Sequence, residues 1–219
     1  MKLSFILDQA RNGELKSLST KDKTDEVMVG YINLALVAIY SRFQLKTEEA
    51  IITLQTAPAR TIYTLDSTDS AVRVNGLPMP DDDMMSIVDA FDEDGNHIAV
   101  NDEKDPYSIY TISYNKLQVP LLNDNTYISV IYRKNPDLVV FTKTGEVTDE
   151  KDVDMPLQLL EPMLHYIGYR AHGAVDGKLN TENNTHYMRF EKSCDRAKEL
   201  GIITADDVVC ASVESKGFV

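Results

Sequence analysis

Between Val27 and Phe43 apolar residues recur along two adjoining helical lines, Val27, Tyr31, Leu34 and Ala38 on one and Met28, Ile32, Ala35 and Ile39 on the other. No charged side chain interrupts the stretch before Arg42, so the pattern predicts a central helix buried on most of its sides. Crossing a membrane takes roughly 18 or more apolar residues; this run is shorter and is broken by Asn33. Upstream, Leu3, Ile6, Leu7 and Ala10 share one helical face, and Arg11, Asn12 and Gly13 supply a stop. The polar link from Glu14 to Lys23 leads to Thr24, placed as an N-cap with Asp25 and Glu26 where the helix dipole favours acids.

From Thr47 to about Val147 the pattern changes to short β-branched and aromatic runs separated by turn residues. Strands are predicted at Ala50 to Gln55, Arg60 to Leu65, Ser86 to Phe91, His97 to Val100, Tyr107 to Tyr114 and Tyr127 to Arg133. Asp94-Gly95 is a hairpin signal, because glycine accepts the positive φ such turns demand, and Asn75-Gly76 marks a second turn before an irregular loop. The partial alternation predicts a small antiparallel sheet with one wetter face, not a deep sandwich.

Helical periodicity returns after Asp154. Pro156 suits a first turn, and Leu157, Leu160, Leu164, Ile167, Ala171 and Val175 form one apolar stripe, with Pro162 placed to restart or bend the helix and Gly173, Asp176 and Gly177 to end it. A second amphipathic helix carries Tyr187, Phe190, Cys194 and Ala197 on one face, with Gly201 as its C′ residue. The fold class that follows is α+β: a helical bundle formed from the N- and C-terminal helices, with an inserted small antiparallel β lobe. The expected boundaries are residues 1–46 and 154–203 for the discontinuous helical domain, 47–153 for the β lobe and 204–219 for a C-terminal arm.

The 219 residues, 43% hydrophobic and 26% charged, suffice for a real core. The net charge of -13 changes the functional picture more, since gripping nucleic acid takes Lys and Arg to displace counterions. An acidic protein can instead line a path along which DNA slides without sticking. Cys194 and Cys210 have neither metal-ligand spacing nor the density of a disulfide scaffold and are expected as free thiols. The N-terminus lacks a signal-peptide pattern, which implies synthesis in a cytoplasm.

Candidate chemistry is sparse. His165 and His172 are seven apart, too far for the i, i+4 pair of a zinc helix, and His97 and His186 join no metal pattern. In DEDGN, setting Gly95 at the sixth position of a calcium loop puts Ala90 first and Asn101 twelfth, where acids are required; a hairpin explains the same residues. Asp81 to Asp83 read as a solvated loop or a weak cation site. No nucleophile elbow, phosphate-cradling loop or dinucleotide fingerprint is present, so no catalytic, metal or cofactor site is assigned and no enzymatic activity is expected.

From Ile131 to Leu200 three features stand together: a strand ending in Tyr132-Arg133 with Pro136 nearby, the acidic-Met-Pro start Asp154-Met155-Pro156, and the run Tyr166, Tyr169, Arg170, Ala171 followed by a helix with aromatics. This half resembles the C-terminal half of head-to-tail adaptor (connector) proteins of tailed, especially short-tailed, bacteriophages. The N-terminal order of short helix, polar link and long apolar helix is similar too. The resemblance implies a virion structural protein: a ring of copies of itself, commonly twelve, between the portal protein and the tail nozzle or tail-tube protein, with DNA passing through during ejection without specific binding and without membrane insertion. It further implies portal contacts from the arm, at Val208, Val209, Val213, Phe218 and Val219, and subunit packing by Tyr166, Tyr169, Arg170, Tyr187 and Phe190. The alternatives are another noncatalytic tail or baseplate component and, in a different class, a metal- or acid-dependent hydrolase.

Overall fold

A computed structural model of the chain describes residues 1–54, 62–119, 126–141, 152–177 and 184–201. It divides into one unit of Met1–Leu45 with Pro136–Val219 and a second of Lys46–Asn135. Four α-helices and two antiparallel sheets among the described residues make it an α+β protein.

In the first unit, α1 (Leu3–Asn12) buries Leu3, Ile6, Leu7 and Ala10, the four positions the periodicity selects, and the Gly13 N–H caps it on Gln9 O. Helix α2 (Asp25–Arg42) follows a 3-10 turn at Thr20–Lys23; Thr24 stands at the N-cap, but its side chain makes no capping bond. Of the two apolar lines on α2 only one is fully enclosed. Met28, Ile32, Ala35 and Ile39, with Val29, Leu36 and Tyr40, are buried, whereas Leu34 and Val37 are 41% and 47% exposed. Full or partial burial therefore extends around most of α2 and spares one narrow uncharged stripe through Gly30, Leu34, Val37 and Ser41. Asn33 has a specific task at the flank. Its amide nitrogen donates to Val139 O at 2.9 Å and its oxygen accepts from Val139 N at 2.8 Å, satisfying a returning backbone as a strand neighbour would.

A 3-10 turn, Leu157–Leu159, leads into α3 (Leu160–Asp176), which puts Pro162 inside the first turn, where its missing N–H costs nothing. The buried line is Leu159, Met163, Ile167 and Ala171; Leu157 and Val175 of the expected stripe are exposed, because the helix begins later and in a different phase. Gly173 lies inside the helix, and Gly177, at φ +65°, ends it. Helix α4 (Thr185–Glu199) buries Phe190, Ser193, Cys194 and Ala197 and starts on Asn184, whose side chain accepts from the His186 and Tyr187 N–H groups. Helices α1, α2 and α4 all pack on α3. The chain start closes on the same unit: the terminal ammonium donates to Val153 O at 2.8 Å and Val153 N donates back to Met1 O at 2.6 Å.

The second unit holds β1 (Thr47–Thr53), β2 (Ile62–Thr64), β3 (Val72–Val74), β4 (Leu77–Pro78), β5 (Met84–Phe91), β6 (His97–Ile98), β7 (Tyr110–Ser113), β8 (Lys116–Gln118) and β9 (Tyr127–Lys134). One sheet runs β4-β3-β1-β9-β5-β6 and the other β2-β8-β7. The Asn75-Gly76 and Asp94-Gly95 turns join β3 to β4 and β5 to β6, with positive φ at Asn75, Gly76 and Gly95. Ile52, Val72, Ile128 and Val130 of the larger sheet share one core with Tyr63, Ile109 and Leu117 of the smaller. The expected single sheet is thus corrected to two, the smaller packing on the buried face of the larger, while the expected wetter face is there, with Thr47, Glu49, Ile51 and Thr53 of β1 and Arg73 of β3 exposed.

The two flanks of α2 give a direct check in denaturant melts. Ile32→Ala is expected to cost about 2–5 kcal/mol, as for other fully buried aliphatic truncations, and Leu34→Ala less than about 1 kcal/mol. Equal losses would contradict this placement of the helix.

Candidate functional site

Three of the four histidines, unremarkable in sequence, meet around one carboxylate. His165 and His172 lie two turns apart on one side of α3, and His186 projects from the first turn of α4. Glu14, just past α1, places Oε1 3.3 Å from His165 Nδ1 and Oε2 2.9 Å from His186 Nδ1. Its backbone oxygen lies 2.9 Å from His172 Nε2, and the His172 and His186 rings stack with centroids 4.7 Å apart. Gly168 makes room for this: a Cβ there would stand 2.8 Å from His186 Nδ1 and 3.2 Å from Glu14 Cβ.

The Glu14 contacts with His165 and His186 are close but poorly aligned, so they act through charge proximity more than through formed hydrogen bonds. Burial dominates at His186 and lowers its proton affinity; Glu14 opposes the shift, while His172 and Arg189 add to it. Among the described residues no group of three or more His, Cys, Asp or Glu side chains is arranged to hold a metal ion. What the arrangement does is tie three segments, the α1 exit, α3 and α4, through a shared acid.

The aromatic residues named for subunit packing come together along the α3–α4 contact. Tyr166 meets Phe190 at 5.0 Å between centroids and Tyr169 at 5.7 Å; Tyr187 meets Tyr169 at 5.1 Å and Phe190 at 6.0 Å. Phe190 and Tyr169 are buried within the unit, Tyr166 and Tyr187 only partly. Arg170 is half-buried and joins no ion pair or hydrogen bond to a described residue. Arg42 lies over the Phe190 ring, 4.9 Å from its centroid, and pairs with Glu191, whose carboxyl is held below its ordinary range by that bond despite partial burial. Burial pushes the Cys194 thiol up to about 12, which leaves it protonated and unreactive. Val208, Val209, Val213, Phe218 and Val219, with Cys210, lie outside the described residues.

The acid-rich loops of the second unit separate into structural and exposed members. Asp83 is buried, accepting from Tyr132 Oη at 2.5 Å with Lys134 Nζ 3.3 Å away; burial, Asp83 and the nearby Glu48 hold the Tyr132 phenol protonated. Asp92 accepts from Asp94 N, Asn96 N and Asn96 Nδ2 within 3.0 Å, so the DEDGN turn consumes its own carboxylate, as a hairpin requires. Asp81 and Asp82 are exposed beside Asp66 at a groove edged by Met84, Tyr114 and Asn115. Sequence reasoning missed the Glu14 cluster, because Glu14 lies more than 150 residues from its histidines; the histidine spacing on α3 was the one signal for it.

Against known families, a family model described as SU10 adaptor protein matches residues 3–208. No curated protein matches the chain. No helix among the described residues is long and apolar enough to cross a membrane.

Because folding lowers the proton affinity of His186 below its ordinary 6.5, the folded chain binds fewer protons there than the unfolded chain, and stability must fall as pH drops through that value. Carboxylates held low, such as Asp92 and Glu191, lose their contribution only in more acid solution. Melting between about pH 7.5 and 5.5 is therefore expected to fall more steeply for the wild type than for His186→Gln, and identical profiles would refute the assignment. Gly168→Ala is expected to cost about 1–3 kcal/mol by overpacking, read from urea melts; an unchanged midpoint would contradict the close approach.

Proposed function

The chain belongs to the SU10 adaptor protein family, and on that premise we propose that it is a noncatalytic virion protein of a tailed bacteriophage, joining head to tail as a ring of identical copies. The family match over residues 3–208 carries this reading. In it, the ring sits between the portal protein and the tail nozzle or tail-tube protein, and DNA passes through the middle. A net charge of -13 supports passage without arrest, since an acidic wall repels phosphates and offers few counter-charges.

The residues divide by burial. Tyr169 and Phe190 act inside the subunit by fixing α4 on α3, whereas Tyr166, Arg170 and Tyr187 keep enough exposed surface to meet a neighbour. The arm after Gly201 is the proposed portal contact, with Val208, Val209, Val213, Phe218 and Val219 supplying apolar side chains that a partner would bury.

Mixing the purified chain with portal particles and imaging the product by electron microscopy tests the proposal. The expected product is a stoichiometric ring on the portal, twelve-membered if the family habit holds. Truncation after Gly201 is expected to abolish attachment while leaving the melting transition in place. Failure of the intact chain to bind, or attachment unaffected by truncation, would overturn the ring and arm assignments respectively.

A further inference from the structure

An acidic chain carries an exposed stripe of cations that no described residue neutralises. Along α4, Thr185, Arg189, Lys192, Arg196 and Leu200 follow one another at helical spacing, all exposed, on the side turned from buried Phe190, Cys194 and Ala197. The side chains of Arg189, Lys192 and Arg196 form no ion pair or hydrogen bond with a described residue. Nearby cations are occupied: Arg42 pairs with Glu191, and Lys198 lies over the Phe43 ring. The stripe sets like charges three and four residues apart, a spacing that works against the helix. Asp195 and Glu199 border one flank without closing on it.

The charge balance of the chain points to the occupant. The second unit holds 15 of the 35 acids against 7 of the 22 bases. In its groove at Asp66, Asp81 and Asp82, Ser67 donates to Asp81 and lowers its proton affinity, while Asn115 and the Thr68 N–H donate to Asp66. Tyr114, 78% exposed at the groove edge, offers a ring face for a guanidinium.

Resting on the ring reading above, we propose that the α4 stripe of one copy seats on the Asp66–Asp81–Asp82 groove of the next. Because the stripe meets a groove elsewhere on the next copy and not its own counterpart, the contact can repeat from copy to copy, the head-to-tail kind that closes into rings. It also supplies local attraction where copies each carrying -13 would otherwise repel.

Sedimentation velocity on the full chain at low and high salt tests the contact, with melting curves to verify folding. The wild type is expected to self-associate at low salt and dissociate as salt screens the pairs. Arg189→Glu/Lys192→Glu/Arg196→Glu and, separately, Asp81→Lys/Asp82→Lys should each weaken association by on the order of 100-fold. Mixing the two variants should restore association, because the intact stripe of one meets the intact groove of the other and the reversed charges, Glu on Lys, also complement. A wild type that stays monomeric at low salt, salt-insensitive association, or variants that assemble like the wild type would overturn the inference. So would a stripe whose removal abolishes binding of a short duplex DNA while self-association persists, which would assign it to phosphates. Portal binding by the wild type separates the two readings, because it can succeed where the stripe contact fails.

Discussion

Everything in the first unit depends on how closely α3 can approach its neighbours. This helix packs against α1, α2 and α4, and Gly168 is the position where side-chain volume would prevent it. Around that glycine a single carboxylate, Glu14, is shared by histidines from α3 and α4, so a segment from the start of the chain is held by two from its end. The bonds between Met1 and Val153, and between Asn33 and Val139, repeat the same logic: backbone from the C-terminal half is satisfied by residues near the N-terminus. Closing so long a loop costs entropy that grows only slowly with length, and an intervening segment with its own core lowers the cost further.

Local pattern made much of this legible. The four buried positions of α1, its glycine stop, the Phe190-Cys194-Ala197 face of α4 and the Asn75-Gly76 and Asp94-Gly95 turns are all set by neighbours in sequence, and all were readable there. The misreadings share a cause in tertiary packing. Both apolar lines of α2 look alike in sequence, and only a neighbouring helix decides which is enclosed. The stripe on α3 was phased from Leu157, but the 3-10 turn shifts the helix start and with it the buried line to Leu159, Met163, Ile167 and Ala171. The strand β8, which joins β2 to β7, is too short to alternate visibly, so the second sheet over the core is not legible, and β3 and β4 of the larger sheet are hidden for the same reason. The Asn184 cap and the Glu14 cluster depend on side-chain placement that sequence does not show, apart from the seven-residue spacing of His165 and His172 on α3.

The resemblance to head-to-tail adaptors, drawn from Tyr132-Arg133, Asp154-Met155-Pro156 and the tyrosines of α3, is borne out by the family match. The structure gives several of those residues internal duties. Tyr132 anchors Asp83 under the sheet, Met155 is buried, and Tyr169 locks α4. A family signature can thus be made largely of residues that maintain the subunit, while surfaces that meet partners are written in charge and exposure. On this chain the exposed features without such internal duties are the uncharged outer line of α2 and the α4 cations that no described residue neutralises, beside an acid-rich second unit.

The central claim is that the two ends of the chain form one cooperative body around α3. Native-state hydrogen exchange tests it most directly, because amides that open together exchange with one free energy. The buried amides of α2, from the N-terminal half, and of α3, from the C-terminal half, are expected to share a single opening free energy and to lose protection together in Gly168→Ala. Protection of α2 that persists when α3 has opened would contradict the account.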